Sequence, residues 1–465
     1  MSNNPDVVQG GKELNRILTF KNLIIFGIAY MSFTTATTYT GIIGEMTHGA
    51  VALTYIVATI AMCFTAFSYA KMVRIYPVAG SAYTYTSNTI NPHVGFMTGW
   101  VMMLDYALLS VLSYILLGEY CSILLPSVHP KVFLIVFCLV FTVVQYVGIN
   151  FVSKANNIFV FLSGIFIVAF MFVMVRLIVG EGGFLSLFDL QGIVNTSELP
   201  NVGWGTIFAG SSIVVLSFLG CDAVTTLAEE TIKPEKTVGR AIIAITIGMG
   251  AYFVVINYLM QLSWPTGWRE FADPDTAVVE LMERVAGSAM AYIYTGIFVI
   301  TCIACSLAAQ TSASRLLYGM GKDGVFPRKF FGYVHPKFKT PSKNILLVTG
   351  LVIAIGSFID LLSIASIINF GALAGFVMVN LSVIVHYFIK EKRRRSLWDI
   401  IKYLISPLIG AAVCFIIWIN LDRAALILGG AWALFGFLYL AITTKGFKLA
   451  PKRLSFDEDD PSEHQ

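Results

Sequence analysis

Long apolar segments recur along most of the chain and are separated by short polar stretches. A membrane-spanning helix needs about 20 mostly apolar residues, and twelve segments meet that requirement. We number them spans 1 to 12; they lie near residues 23–46, 51–70, 94–118, 131–149, 157–180, 206–230, 239–263, 286–318, 343–362, 364–389, 401–420 and 424–443. The alternating ten-residue strands of a transmembrane β-barrel are not seen. The pattern therefore predicts an all-α membrane protein with 12 transmembrane helices.

The composition supports a lipid environment. Of the 465 residues, 57% are hydrophobic and 12% are charged, whereas soluble domains contain about 25% charged residues. So little charge leaves too little polar surface to coat a folded body of this size in water. The composition therefore excludes a soluble enzyme, a nucleic-acid-binding protein and a disordered protein.

Basic residues are distributed unevenly around the spans. If both termini are cytoplasmic, 26 of the 31 Lys and Arg residues lie in cytoplasmic tails, loops or helix ends, and five lie outside. Because Lys and Arg concentrate in the cytoplasmic loops of membrane proteins, this division predicts two cytoplasmic termini. Residues 1–22 then form an N-terminal tail that is unlike a secretory signal peptide, and residues 444–465 form an acidic tail.

Two spans are interrupted by small and polar residues. Span 1 contains five Thr, one Ser and two Gly between residues 28 and 45, and span 6 contains Gly220 and Asp222. Unwound backbone is tolerated in a membrane where it lines a protein or water cavity. Alternatively, each Thr hydroxyl bonds a carbonyl one turn earlier in its own helix, which is common in membrane helices.

Spans 1 and 6 each begin a set of five spans. Because five is odd, the second set enters the membrane from the opposite side, as in the inverted repeats of secondary transporters. The first repeat covers residues 23–180, the second covers residues 206–389, and residues 401–443 supply two extra helices. The substrate site of such transporters lies near the membrane midplane, between the two interrupted helices.

Four carboxylates lie within the spans, where a charge costs about 3 kcal/mol on insertion scales. Asp105 lies in the middle of span 3, Asp222 follows the Gly220 interruption, and Glu229 shares a helix face with Asp222 while Glu230 does not. We interpret them as groups that bind substrate or a proton. The alternatives are a helix cap for Asp222, a hydrogen bond to an interrupted helix for Asp105, and cytoplasmic ion pairs for the two Glu residues.

The charges and rings around these interruptions favour a cationic organic substrate. No Lys or Arg lies in mid-membrane, and an acidic outer mouth concentrates cations. Aromatic rings near the interruptions can hold an organic ammonium by cation–π contact, although ordinary packing explains each ring alone. The rings are Phe33, Tyr39, Tyr106 and Phe218. The ten acidic residues of the outer loops are Glu181, Asp189, Glu198, Glu270, Asp273, Asp275, Glu280, Glu283, Asp360 and Asp422.

No motif indicates catalysis or metal binding. The six His are scattered, and the seven Cys lie in or beside apolar spans. Cys302 and Cys305 form a C-x-x-C pattern within a helix rich in Ala and Ser, which we interpret as packing between small residues. We therefore predict that the chain is not an enzyme and that it has no cofactor, no metal site, no nucleic-acid partner and no obligate protein partner.

Several motifs resemble those of the amino acid–polyamine–organocation transporters, and within them the bacterial putrescine importers. The motifs occupy residues 76–85, 91–100, 217–231, 271–276, 314–327, 331–336 and 368–373. The motifs at 271–276 and 331–336 are narrower than the others and favour the polyamine branch. The resemblance implies a LeuT-like fold of five plus five helices with interrupted helices 1 and 6, which works by alternating access.

The resemblance also implies that helices 1 and 6 form the binding site. We place the ammonium between residues 38–41 and residues 218–222, with Asp105 and Asp222 supplying negative charge. Glu229 or Glu230 then receives the substrate or seals the inner gate. The predicted substrate-binding residues are Thr38, Tyr39, Gly41, Asp105, Tyr106, Phe218, Gly220, Asp222, Glu229 and Glu230.

Two departures from the family pattern bear on the substrate. Amino acid carriers of this superfamily usually have a Gly-Ser-Gly-type turn in helix 1, and residues 37–44 match it weakly, which argues against an α-amino acid. The putrescine importers tend to have Asp in helix 1 where this chain has Thr38. Losing that carboxylate weakens the case for a dication, so a monoamine or another kind of amino acid stays open.

We predict a secondary active importer of a small organic amine, with putrescine or another polyamine as the substrate. It would work in the bacterial plasma (inner) membrane with a co-transported proton (or Na⁺). The first alternative is an amino acid permease or an amino acid/amine exchanger of the same fold. A membrane sensor or scaffold is a second alternative, but it would need an appended soluble domain.

Overall fold

The computed structural model describes residues 16–448 apart from 126, 148, 196–201, 273–276, 323, 325, 359–360 and 422. Within these residues the regular elements are helical, as the spans predicted, and one isolated β-bridge joins Leu18 to Thr231. Ten helices in this part of the chain are long and apolar enough to cross a membrane. The acidic tail beyond residue 448 and the 273–276 part of one family motif lie outside the described residues.

The α-helices are short at the interrupted spans and long elsewhere. In chain order they are α1 Phe20–Met31, α2 Thr35–Thr38, α3 Thr40–Met46, α4 Val51–Ile75, α5 Ser81–Thr89, α6 Pro92–Leu124, α7 Pro130–Val147, α8 Ile149–Gly182, α9 Trp204–Val214, α10 Pro234–Ser263, α11 Gly267–Glu270, α12 Ala277–Ala286, α13 Ser288–Lys322, α14 Arg328–Phe331, α15 Ser342–Gly356, α16 Leu361–Val383, α17 Leu397–Ile400, α18 Ser406–Ile419 and α19 Arg423–Thr443. The 3₁₀ helices are Phe184–Phe188, Leu190–Gly192, Val215–Phe218 and Ala223–Glu230, and the π-helices are Ile384–Lys390 and Ile401–Ile405.

The ten membrane-length helices match spans 2 to 8 and spans 10 to 12. Span 1 differs because it is divided into α1, α2 and α3, none of which is long enough to cross alone. Span 9 differs because α15, Ser342–Gly356, is an apolar helix of only 15 residues. The described helices thus support a multi-pass membrane protein, and a total of twelve crossings would require span 1 and span 9 to cross as well.

Spans 3 and 6 lie in the interior of the helix bundle. In the most apolar 18-residue segment of each helix, 83% is buried for span 6 and 78% for span 3. For α19 the buried share is only 22%. Small residues allow the inner helices to approach closely. At Gly371 of α16, an added Cβ would lie 2.7 Å from the carbonyl oxygen of Val101 and 3.1 Å from the amide nitrogen of Asp105. This contact fixes the position of Asp105 in the core.

The start of α1 is paired with the end of span 6. The amides of Ile17 and Leu18 each donate to the Glu230 carbonyl at 2.9 Å, and Ile232 donates back to the Leu18 carbonyl at 2.9 Å. Thr19 then caps α1 through Asn22. The start of span 1 and the end of span 6 therefore meet at one face of the bundle.

Candidate functional site

Span 1 is interrupted twice, and its larger interruption lies earlier than the sequence indicated. The helix α1 ends at Met31, and Ser32 adopts a φ of 58°, which is uncommon for a residue other than glycine. The Ser32 and Thr34 hydroxyls lie 2.9 Å apart, and Thr34 lies 2.7 Å from the hydroxyl of Thr301 in α13. The break expected at residues 38–41 is the smaller one, a single turn at Tyr39 between α2 and α3.

Four of the five Thr hydroxyls of span 1, those other than Thr34, bond carbonyls three or four residues earlier, as the alternative interpretation proposed. Thr35 donates to the Met31 carbonyl at 2.8 Å, and Thr38 donates to the Thr34 carbonyl at 3.0 Å. The Thr34 carbonyl also accepts from the amides of Thr37 and Thr38, at 3.0 and 3.1 Å. Of the predicted residues in this span, Gly41 is buried in α3.

Span 6 is interrupted where the sequence predicted. The 3₁₀ helix Val215–Phe218 ends in a turn, Gly220 has a φ of 107°, and a second 3₁₀ helix begins at Ala223. Glycine is required at position 220 because an added Cβ would collide with the ring of Tyr30 from α1. The predicted site residue Phe218 packs its ring edge-on against Phe253 of α10, with centroids 5.2 Å apart. The two interrupted spans therefore touch through Tyr30 and Gly220.

Asp222 and Tyr106, both predicted site residues, are brought together in the core. The Tyr106 hydroxyl donates to Asp222 Oδ2 at 2.5 Å and lies 3.2 Å from the Ser81 hydroxyl. Asp222 occupies the cap position of the second 3₁₀ helix, but its side chain makes no capping hydrogen bond. The backbone amides of Gly220 and Ala223 lie near this carboxyl, so a capping role and a substrate role are both compatible with its position.

Asp105 lies beside this pair and is equally buried. Both Asp105 and Asp222 are 0% exposed, and their carboxyls are close enough to act on each other electrostatically. Neither Asp105 oxygen has a hydrogen-bond partner among the described residues, and neither does Asp222 Oδ1 or the hydroxyl of Tyr30. Buried polar atoms are normally paired. Three open carboxyl oxygens on two residues within electrostatic range of each other therefore indicate a site for a group that donates hydrogen bonds.

A cavity of about 50 Å³ lies at the span 1 interruption. Thr38 and Tyr39, both predicted site residues, line it, as do Cys302 and Cys305 of the C-x-x-C pattern. Tyr30 also lines this cavity, and its ring is within electrostatic range of both carboxyls. Tyr30 is therefore the residue that the cavity and the carboxyl pair share.

Glu229 and Glu230 do not join the carboxyl pair. The Glu230 carboxylate accepts two bonds from Arg315, at 2.5 Å from Nε and at 2.9 Å from Nη2. Glu229 lies 3.2 Å from the Lys322 ammonium and accepts from the Ala79 amide at 3.3 Å. These contacts are ion pairs with basic residues, as the sequence offered in the alternative. They tie the end of span 6 to the end of α13 and to the 76–85 motif.

Removing the Glu230 charge should destabilise the protein more than removing the Glu229 charge. The Glu230–Arg315 side chains are 2% and 3% exposed, whereas those of Glu229 and Lys322 are 14% and 44% exposed. A buried pair that loses one partner costs about 3–5 kcal/mol, and an exposed pair costs at most about 1 kcal/mol. Thermal unfolding of solubilised Glu230→Gln and Glu229→Gln would measure this. Equal losses of melting temperature would contradict the buried pair.

The acidic residues predicted for the outer loops include Glu270, which lies at the end of α11. Glu270 accepts hydrogen bonds from the Thr266 hydroxyl at 2.6 Å and from the Trp264 indole at 3.0 Å, which lower the pKa of its carboxyl and keep it charged. In the described part of the chain, no cluster of three or more His, Cys, Asp or Glu could hold a metal ion. Five acidic residues of the predicted outer mouth lie outside the described residues: Glu198, Asp273, Asp275, Asp360 and Asp422.

Comparison with known proteins identifies the family. A family model described as amino acid permease matches residues 22–442. The chain belongs to this permease family. It is 38% identical over 450 residues to the low-affinity putrescine importer PlaP of Escherichia coli strain K12, which covers 96% of this chain and 98% of the relative. The predicted resemblance to the amino acid–polyamine–organocation transporters is therefore confirmed.

More distant permease relatives carry other names. The branched-chain amino acid permease BcaP of Bacillus subtilis strain 168 is 27% identical over 465 residues, which covers 95% of this chain and 96% of the relative. The methylthioribose transporter of the same strain is also 27% identical, over 429 residues, and covers 87% of this chain and 88% of the relative. The names of these relatives thus refer to several substrate classes.

The sequence did not indicate two residues of the site. Tyr30 precedes the interruption of span 1 and reads as one apolar residue of a membrane helix. Ser81 belongs to the 76–85 family motif, and its hydroxyl lies 3.2 Å from the Tyr106 hydroxyl. The only sequence signal for Tyr30 is its position two residues before Ser32, the first polar residue of the interruption.

Proposed function

We propose that the chain is a secondary active importer of a small organic amine, with putrescine as the first candidate. The observation that carries this proposal is the pair of buried carboxyls, Asp105 and Asp222, with three oxygens that have no hydrogen-bond partner among the described residues. An ammonium group has donors and no acceptor, so it would satisfy these oxygens and neutralise their charge. The relationship to the putrescine importer supports the same substrate class.

The second end of a diamine would reach a different environment. The cavity at Thr38 and Tyr39 contains hydroxyls, thiols and rings but no carboxylate. A distal ammonium there would be held by hydroxyl oxygens and by the Tyr39 ring rather than by an opposite charge. We therefore infer that one ammonium provides most of the binding energy, and that monoamines of similar length compete with putrescine.

We also propose the membrane arrangement that this function needs. Span 1 and span 9 supply the two crossings beyond the ten long helices, which gives twelve, with residues 23–180 and 206–389 as inverted repeats. Both termini lie in the cytoplasm and the protein in the bacterial inner membrane, in agreement with the Lys and Arg distribution. The Glu229 and Glu230 ion pairs then lie at the inner end of the site, where they would separate when it opens inward.

Proton coupling is part of the proposal. Two carboxyls buried so close together are costly to ionise at the same time, so one of them would carry a proton when no amine is bound. Uptake in proteoliposomes should then follow an imposed pH gradient, inside alkaline, and stop with a protonophore. If uptake instead requires sodium and continues in the presence of the protonophore, the coupling ion is Na⁺ and not a proton.

Substrate competition tests the function directly. Labelled putrescine uptake into proteoliposomes would be measured against unlabelled diamines, alkyl monoamines, leucine and lysine. We expect both amine classes to compete at concentrations at least tenfold lower than leucine. Strong competition by leucine with no putrescine uptake would favour the second candidate, an amino acid permease, for which the branched-chain permease relative is the supporting observation.

A further inference from the structure

A second cavity, the α6–α15 groove, lies on the other side of Tyr106. It has a volume of about 190 Å³ and is formed by α6, α13 and α15 together with Phe326 and Phe331 from the segment between the last two helices. Leu351 of α15 lines it and is 38% exposed on the outside of the bundle. The groove therefore opens toward the surface that faces the lipid.

The α6–α15 groove offers no unused polar group to an occupant. Of its twelve lining side chains, only Trp100 and Tyr106 carry polar atoms. The Trp100 indole donates to the Trp432 carbonyl at 3.1 Å, and the Tyr106 hydroxyl donates to Asp222. Water needs several polar partners to stay in a cavity. The lining therefore suits a hydrocarbon chain.

Basic residues are close in sequence to the lining residues of the groove in α14 and α15. Residues 315–343 contain seven Lys or Arg and a single acidic residue. Arg328 and Lys329 precede the lining residue Phe331 in α14, and Lys343 lies one helical turn before the lining residue Leu347 in α15. The Lys343 ammonium donates to the Lys329 carbonyl at 3.0 Å, which brings the two segments together.

These three cations are available to an anion from outside the protein. Arg328 and Lys329 are exposed and Lys343 is half-buried. None of them forms an ion pair with another residue in the part of the chain that the structure describes. An apolar groove that ends in a cluster of unpaired cations matches an amphiphile with an anionic head.

We propose that the α6–α15 groove binds one anionic phospholipid of the cytoplasmic leaflet. An acyl chain fills the groove, and the phosphate contacts Arg328, Lys329 and Lys343, in the way that basic pockets between membrane helices hold anionic headgroups. A zwitterionic lipid has no net negative charge and would be attracted less strongly to these three basic residues. Because the Tyr106 ring lines the groove while its hydroxyl holds Asp222, the bound lipid supports the carboxyl pair; this last step rests on the proposed function.

Lipid binding can be measured without any transport. The full chain would be purified in detergent, titrated with phosphatidylglycerol or with phosphatidylcholine of the same acyl chains, and examined by native mass spectrometry. We expect one phosphatidylglycerol to be retained in preference to phosphatidylcholine. The variant R328Q/K329Q/K343Q should bind phosphatidylglycerol roughly 100-fold more weakly, at about fivefold for each basic residue. Equal retention of the two lipids by the native chain would overturn the proposal.

Matched variants distinguish lipid binding at the groove from nonspecific attraction of the lipid to basic residues. The variant K392Q/R394Q/R395Q removes three cations from the loop after α16 and should retain phosphatidylglycerol like the native chain. Ala313→Leu narrows the groove without changing charge and should weaken retention several-fold. If the triple groove variant does not elute as a monodisperse protein, Lys343→Gln alone should show the fivefold loss. A loss in the loop variant as large as in the groove variant would refute a specific site.

Discussion

Asp222→Asn is expected to abolish putrescine uptake in proteoliposomes while the protein still folds and inserts. The amide keeps the volume of the carboxyl, and its oxygen can still accept the bond from Tyr106, which is 2.5 Å from Asp222 in the native chain. What the variant loses is the buried negative charge that faces the ammonium in the proposed function. Breaking a buried ion pair costs at least about 3 kcal/mol, which corresponds to a loss of more than about 100-fold in affinity.

The matched control for this experiment is Asp189→Asn, the same chemical change at an exposed position. Asp189 caps a short 3₁₀ helix through the Gln191 amide at 3.0 Å and takes no part in the carboxyl pair. Putrescine uptake by the Asp189→Asn variant should stay near the native level. Tyr106→Phe removes only the hydroxyl and should raise the KM while leaving measurable uptake. Native uptake by Asp222→Asn would exclude this carboxyl from substrate binding.

Local signals in the sequence identified much of the fold and one half of the site. Apolar stretches of membrane length predicted the long helices because lipid imposes that length on every crossing. The interruption of span 6 was predicted correctly because Gly220 and Asp222 are both poor residues for a membrane helix. The 2.5 Å bond between Tyr106 and Asp222 joins two residues that had been assigned to the site independently.

The features that the sequence could not place depend on contacts between distant helices. The larger interruption of span 1 lies at Ser32 because Thr34 bonds Thr301 of α13, and no local pattern encodes that contact. Tyr30 enters the site because its ring packs on Gly220. Glu230 has an ion-pair partner only because α13 brings Arg315 to it, so the sequence could offer the pair as an alternative but could not name its cation.

Gly220→Ala is expected to abolish uptake and also to lower the melting temperature of the solubilised protein. Position 220 has a φ of 107°, a conformation that costs an L-residue about 1–2 kcal/mol. The added Cβ would also collide with the Tyr30 ring, and forcing extra volume into a packed core typically costs about 1–3 kcal/mol. The two costs add at the point where the interrupted spans touch.

Two further variants distinguish the backbone strain at position 220 from the collision with the Tyr30 ring. Gly248→Ala, in α10, places its Cβ in open space and should melt close to the native temperature. In Tyr30→Ala/Gly220→Ala the ring is absent, so the collision is reduced to the contact with the Tyr30 Cβ. The double variant should therefore lose less stability than the two single variants added together. Strictly additive losses would mean that Tyr30 does not press on the interruption. In that case the cavity at Tyr39 and the carboxyl pair would not be linked through this ring.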